Sequence, residues 1–246
     1  MINFFEFNGT NSKDYGILLM DKSAYSRPER DLTYISVAGR SGDLIIDNGR
    51  YKNQNITYKC RLFAPTEEEQ NFTTSYALND IVGELESNGN YYKLHDSYNP
   101  DYFRFAAFNG NIEVSQTKYP DIVDFSLTFN CKPYLYRWDG QNAVSFNYSA
   151  TAQTIVNPEK ESTKPYIKVY ASGDCSMSIN GYSFQLYGVS DYYELDCETQ
   201  NCYRGTQNKN AYFSGSFPTL KAGSNVIAFT SSAITKIEII PRWRCR

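Results

Sequence analysis

The chain has 246 residues, a formal net charge of −3 from 24 basic and 27 acidic side chains, 22 tyrosines and a single histidine. That length allows one large β domain or two domains of about 100 to 150 residues, each with its own core, and two are expected. A near-balanced charge with no long block of one sign excludes the basic footprint of sequence-specific DNA binding.

The opening MINFFEFNGTNSKDYG has no basic start, no continuous apolar run and no small-residue cleavage site, and no later run is long enough to span a bilayer. The chain is therefore expected to fold in the cytoplasm, away from membranes, where the sequons at Asn8, Asn55, Asn71 and Asn147 stay unglycosylated. Ile2 to Phe7 alternates as a first strand, Asn8-Gly9 is a turn, and Tyr15 to Met20 is a second apolar stretch. Asp21 to Arg30 is an extended connection.

The stretch from Asp31 to Phe63 is the part around which the rest of the chain is organised. Strand-like runs at Leu32 to Val37, Leu44 to Ile46 and Ile56 to Phe63 are separated by the loop Gly39-Arg40-Ser41-Gly42 and by Asn48-Gly49, read as a turn. The two glycines allow positive φ at either end of the loop, so that one guanidinium and one hydroxyl are presented between them.

One helix comes next, from about Thr66 to Ser87. Thr66 caps it with Glu69 in a capping box, Glu67 to Glu69 favour its positive end, and Phe72, Tyr76, Ile81, Val82 and Leu85 share a face. Strands resume at Tyr91 to Leu94 and Tyr102 to Phe108. An Asn109-Gly110 turn is expected to return the chain through Ile112 to Thr117, and Asp124 to Cys131 places Phe125, Leu127 and Phe129 on one face. His95 has no second histidine with which to build a metal site, and no nucleophile can be assigned to it. Lys132 to Gly140, with Pro133, Trp138 and Asp139-Gly140, marks the domain boundary.

The remainder reads as short strands around an Asn180-Gly181 hairpin, at the spacing of a β-sandwich. They are Ala143 to Phe146, Tyr166 to Ala171, Cys175 to Ile179, Tyr182 to Leu186, Tyr192 to Cys197, Val226 to Phe229 and Thr235 to Ile240. The cysteines Cys60, Cys131, Cys175, Cys197, Cys202 and Cys245 show no recurring spacing and no CxxC pair. Six reduced thiols are expected, with no metal and no cofactor.

Two ordered sets of residues carry a resemblance. Arg27-Pro28, a valine leading into Gly-Arg-Ser-Gly-Asp-Leu, and Tyr51 resemble the N-terminal domain of siphophage distal tail proteins. Thr163-Lys-Pro-Tyr-Ile, Ser-Ile-Asn-Gly-Tyr, Glu194-Leu-Asp-Cys, Gly215-Ser-Phe-Pro-Thr-Leu-Lys-Ala-Gly-Ser-Asn-Val-Ile and Ile240-Pro-Arg-Trp resemble, in order, the galectin-like C-terminal domain of the same family.

The resemblance implies a mainly β fold: an α+β ring-forming and tail-channel domain over 1–138 and a galectin-like β-sandwich over 139–246. It implies a non-enzymatic virion protein at the tail tip of a phage or prophage of a Gram-positive host, six copies closing a ring between the tail tube and the tip apparatus. Its partners would be the other copies, the major tail tube protein, the tail-associated lysin-like hub protein, and baseplate or receptor-binding proteins. Double-stranded DNA would pass through unbound. Val37, Gly39, Arg40, Ser41 and Gly42 would then lie at the contact between subunits, while Asp43 and Asp47, then Glu29 and Asp31, would line a neutral or acidic channel. The rival is a lectin-like surface adhesion module, although the galectin set of histidine, asparagine, arginine and stacking tryptophan finds no histidine in this half of the chain.

Overall fold

The computed structural model describes residues 3–23, 27–63, 74–86, 89–116 and 122–246. The chain divides into two compact units, one of Met1–Leu135 with Arg246, the other of Tyr136–Cys245. Both are dominated by antiparallel strands.

The first unit contains β1 (Phe5–Phe7), β2 (Thr10–Asn11), β3 (Ile17–Lys22), β4 (Arg30–Ile35), β5 (Leu44–Tyr51), β6 (Gln54–Phe63), the helix α1 (Thr74–Leu85), β7 (Tyr92–Asp96), β8 (Tyr102–Gln116) and β9 (Ile122–Arg137). Its main sheet runs in the order β2-β1-β7-β8-β9-β6-β3. Alternation places the core side chains: Ile56, Tyr58, Cys60 and Leu62 of β6 are buried, opposite Phe125, Leu127 and Phe129 of β9. Phe129 is the aromatic centre, with ring centroids 5.0 to 5.9 Å from Phe5, Phe7, Tyr58 and Phe108. The helix buries Leu78, Ile81 and Leu85, with Val82 half-buried beside them, at helical spacing. Thr66, Glu67 to Glu69, Phe72, Ser87 and Asn88, and the side chain of Tyr76, lie outside the described residues.

Two of the expected turns are strand instead. β8 runs unbroken through Asn109-Gly110, with Gly110 at φ +80°. Asn48-Gly49 lies inside β5, where the register passes from Leu32↔Asp47 to Arg30↔Tyr51 over a bulge, with Gly49 at φ +70°. An Asn-Gly pair signals only that positive φ is cheap at the glycine, and a bulge uses that freedom as readily as a turn does. β9 likewise continues past Pro133 to Arg137, beyond the strand read as ending at Cys131.

One buried polar cluster lies under this sheet. Asp96 accepts from Lys22 Nζ at 2.5 Å, Tyr58 Oη at 2.6 Å, and the amides of Tyr98 and Asn99 at 3.0 and 3.2 Å. Burial and the adjacent Asp96 carboxylate push the Tyr58 hydroxyl well above its ordinary pKa, so it stays a donor.

The second unit contains β10 (Val144–Asn147), β11 (Gln153–Asn157), β12 (Tyr166–Ala171), β13 (Gly173–Ile179), β14 (Tyr182–Val189), β15 (Tyr192–Asp196), β16 (Asn201–Arg204), β17 (Gln207–Asn208), β18 (Phe213–Gly215), β19 (Gly223–Phe229), β20 (Ile234–Ile240) and β21 (Arg244–Cys245). Two sheets, ordered β10-β20-β12-β15-β16-β17 and β11-β19-β13-β14-β18, form a β-sandwich. Between them sit Ile167, Val169, Leu195 and Ile237 from one sheet and Met177, Ile179, Leu186 and Ile227 from the other.

The segments that carry the C-terminal resemblance meet in space as structural ties. Arg242 grips the Asp196 carboxylate at 2.7 and 3.3 Å, and Thr163 Oγ1 donates to the Pro241 carbonyl at 2.7 Å. The fully buried Asn225 accepts from Asn180 Nδ2 at 2.5 Å and from the Lys221 amide at 2.7 Å. Buried side chains that satisfy loop backbone in this way fix connections that would otherwise leave polar groups unpaired.

None of the six cysteines is in a disulfide; five are buried and Cys245 is half-buried. Burial pushes the thiols of Cys60, Cys131 and Cys197 up to about 12 and those of Cys175 and Cys202 up to about 11, so none of these five is a thiolate near neutrality. Alkylation of the folded protein at pH 8 is expected to label Cys245 alone, with five further adducts only after denaturation. Mass spectrometry checks this, and early labelling of any of the five would show that its sheet opens.

Candidate functional site

The strands β4 and β5 form a two-stranded sheet of their own, bonded to no other strand among the described residues. We call this hairpin the arm. Its base is a ladder of cross-strand ion pairs: Arg30 holds Asp47 with contacts of 3.0 and 2.6 Å, Arg50 Nε donates to Asp31 at 2.7 Å, and Lys52 lies 3.7 Å from Glu29. The Arg30 guanidinium keeps the Asp47 carboxyl below its usual range, and Arg50 does the same for Asp31. From Glu29 to Lys52 the sequence carries four acidic and four basic residues, so the arm is neutral.

Beyond the ladder the arm is apolar. Tyr34, Ile35, Val37, Leu44, Ile45 and Ile46 are each between 41% and 60% exposed. The register pairs Tyr34 with Ile45, Ile35 with Leu44 and Thr33 with Ile46. Cross-strand partners share a face and successive pairs alternate, so Tyr34 and Ile45 stand on one face while Ile35, Leu44 and Ile46 stand on the other. A lone hairpin is marginal in water, and one with apolar side chains on both faces resembles an element whose cover is another molecule.

At the tip, Gly39 and Gly42 take φ of +79° and +85°, and the Arg40 amide donates to the Val37 carbonyl at 3.2 Å. Arg40, Ser41 and Asp43 are exposed, and Arg40 enters no ion pair with the described residues. The structure thus brings Val37, Gly39, Arg40, Ser41, Gly42 and Asp43 together at one end of the arm and places Asp47 in the ladder, its charge taken up by Arg30. Sequence reasoning passed over the apolar faces themselves. The signal was present: Leu44-Ile45-Ile46 breaks the apolar–polar alternation of a strand with one buried side.

Other residues singled out in the sequence have structural partners. His95 donates from Nδ1 to the Tyr102 carbonyl at 2.9 Å and packs edge-on against Phe4. Trp243 is buried in the core of the second unit, 6% exposed, where it can stack on no sugar. Among the described residues no group of three His, Cys, Asp or Glu side chains could hold a metal, and no helix is long and apolar enough to cross a membrane.

No protein-family model matches the sequence, and no curated protein matches it. The fold is a known one, mainly β along the whole chain. The chain is similar to the crystal structure of the SPP1 Dit (gp 19.1) protein, a paradigm of the hub adsorption apparatus in phages that infect Gram-positive bacteria, with a TM-score of 0.75, 13% identity, and coverage of 97% of this chain and 98% of that one.

Proposed function

We propose that this chain is a structural, non-enzymatic distal tail component that closes into a six-membered ring and joins the tail tube to the tip apparatus at the virion tail tip. The observation that carries the reading is the arm, an isolated hairpin with apolar side chains on both faces, in a chain whose fold matches a hub protein along its length. A closed ring repeats one heterologous contact, so each subunit offers an element and receives one. The arm is the offered element, and Val37, Gly39, Arg40, Ser41 and Gly42 belong to the contact.

The N-terminal domain expected over 1–138 makes the ring and the channel. Asp43 and Asp47 line a passage that lets double-stranded DNA through without gripping phosphates, in keeping with an arm of no net charge. The C-terminal domain expected over 139–246 meets baseplate or receptor-binding proteins, while the tube protein and the lysin-like hub protein bind the two sides of the ring.

Negative-stain imaging of the purified protein is expected to show six-fold rings, and Arg40→Glu is expected to shift the population towards smaller species with an unchanged circular dichroism spectrum. A protein that stays monomeric at all concentrations overturns the ring. A mutant ring as stable as wild type removes Arg40 from the contact.

A further inference from the structure

The second unit carries a depression of its own. β13 and β14 part where Tyr187 and Gly188 together face Asp174, as the register passes from Gly173↔Val189 to Cys175↔Leu186. Gly188 takes φ of +61° and donates its amide to Asp174 Oδ1 at 2.8 Å. The bulge therefore fixes the carboxylate and re-aims the flanking side chains, as bulges beside binding sites do. The opening that results has a volume of ≈ 180 Å³ and is lined by Asp174, Ser176, Gln185, Tyr187 and Ser231, over Cys175 and Leu186.

The lining has a definite chemistry. Tyr187 Oη donates to Gln185 Oε1 at 2.7 Å, which turns the amide nitrogen of Gln185 into a directed donor. The Ser176 hydroxyl is held 2.8 Å from that of Thr230. A carboxylate that only accepts, an amide that donates and hydroxyls that do either suit a ligand rich in hydroxyl groups. Tyr187 is 40% exposed, and its ring offers an apolar surface to the C–H side of such a ligand. Among the described residues no lysine or arginine lines the opening, so the single carboxylate repels an anionic ligand with nothing to offset it.

We propose that this depression binds one neutral saccharide unit, with Asp174, Gln185 and Ser231 taking its hydroxyls and Tyr187 its ring face. At ≈ 180 Å³ the space is smaller than the about 300 to 1,000 Å³ of pockets for drug-sized ligands, which suits one sugar unit and not an oligomer. The site owes nothing to the galectin constellation, since its lining contains no histidine, asparagine, arginine or tryptophan. It also uses no residue of the arm, so it stands or falls apart from the ring.

Saturation-transfer NMR on the full chain tests it, with glucose, N-acetylglucosamine, galactose and glucose 6-phosphate as the probes. Transfer to at least one neutral sugar is expected, weakened about tenfold in affinity by Gln185→Ala and by Tyr187→Ala, a loss of about 1.4 kcal/mol. Glucose 6-phosphate is expected to give less transfer than glucose. No transfer to any of the three neutral sugars overturns the proposal. So does transfer that both variants leave unchanged, or a phosphorylated sugar that binds as well as the neutral one.

Discussion

Tyr34→Glu combined with Ile45→Lys is expected to dissolve the ring into folded monomers. The two positions are cross-strand partners, so the new pair of opposite charges keeps the hairpin together while removing the apolar character of one face. Covering a side chain of this kind contributes about 1.5 to 3 kcal/mol when burial is complete. Starting from side chains roughly half-buried already, the pair would cost each contact about 1.5 to 3 kcal/mol, or about 10- to 150-fold in its association constant. In the proposed ring every interface bears the same loss. Ile35→Lys with Leu44→Glu makes the same change on the opposite face. Size-exclusion chromatography with light scattering reads the assembly, and far-ultraviolet circular dichroism reads the fold. Both double variants are expected to be monomeric with native spectra. A full-mass ring in one variant would show that its face stays in water, and full-mass rings in both would remove the arm from assembly.

Asp96→Ala is expected to lower the stability of the first unit by about 3 to 5 kcal/mol, the range for breaking a buried pair by deleting one partner. The carboxylate is 8% exposed, Lys22 beside it is 13% exposed, and Tyr58 would lose its acceptor as well. Adding Lys22→Met to Asp96→Ala is expected to recover part of the loss, because the ammonium is then no longer held without its counter-charge. Urea denaturation followed by circular dichroism measures both. A cost below about 1 kcal/mol for the single variant would mean that water reaches the pair and that it behaves as a surface ion pair.

The Asn-Gly pairs show what was legible in the sequence and what was not. Asn8-Gly9 and Asn180-Gly181 are the expected hairpin turns, and in both the asparagine and the glycine take positive φ, as such a turn requires. In Asn48-Gly49 and Asn109-Gly110 the asparagine is a strand residue and only the glycine leaves the extended region. The dipeptide is the same in all four places, and the pairing strand decides. Strands with one buried side, such as Gln54–Phe63, could be read directly because alternation follows from burial. The short strands Asn201–Arg204 and Phe213–Gly215 could not: four and three residues are too few to show a period, and the second takes its place from β14, well before it in sequence. The same holds for the ties at Asn225 and Thr163, whose partners lie 45 and 78 residues away. At the arm, the loop glycines could be read from spacing, whereas the two exposed apolar faces follow from a register that only the fold supplies.

The reduced state of the cysteines reaches beyond chemical labelling. None of the fold's stability is held in a bond that the surroundings can make or break, because the five buried thiols are un-ionised and enclosed and a thiol must ionise and be reached before it exchanges or oxidises. Such a fold needs no disulfide to form. Those five thiols are the same in a reducing cell interior and in aerated medium, so the cores they belong to could pass from one to the other unchanged.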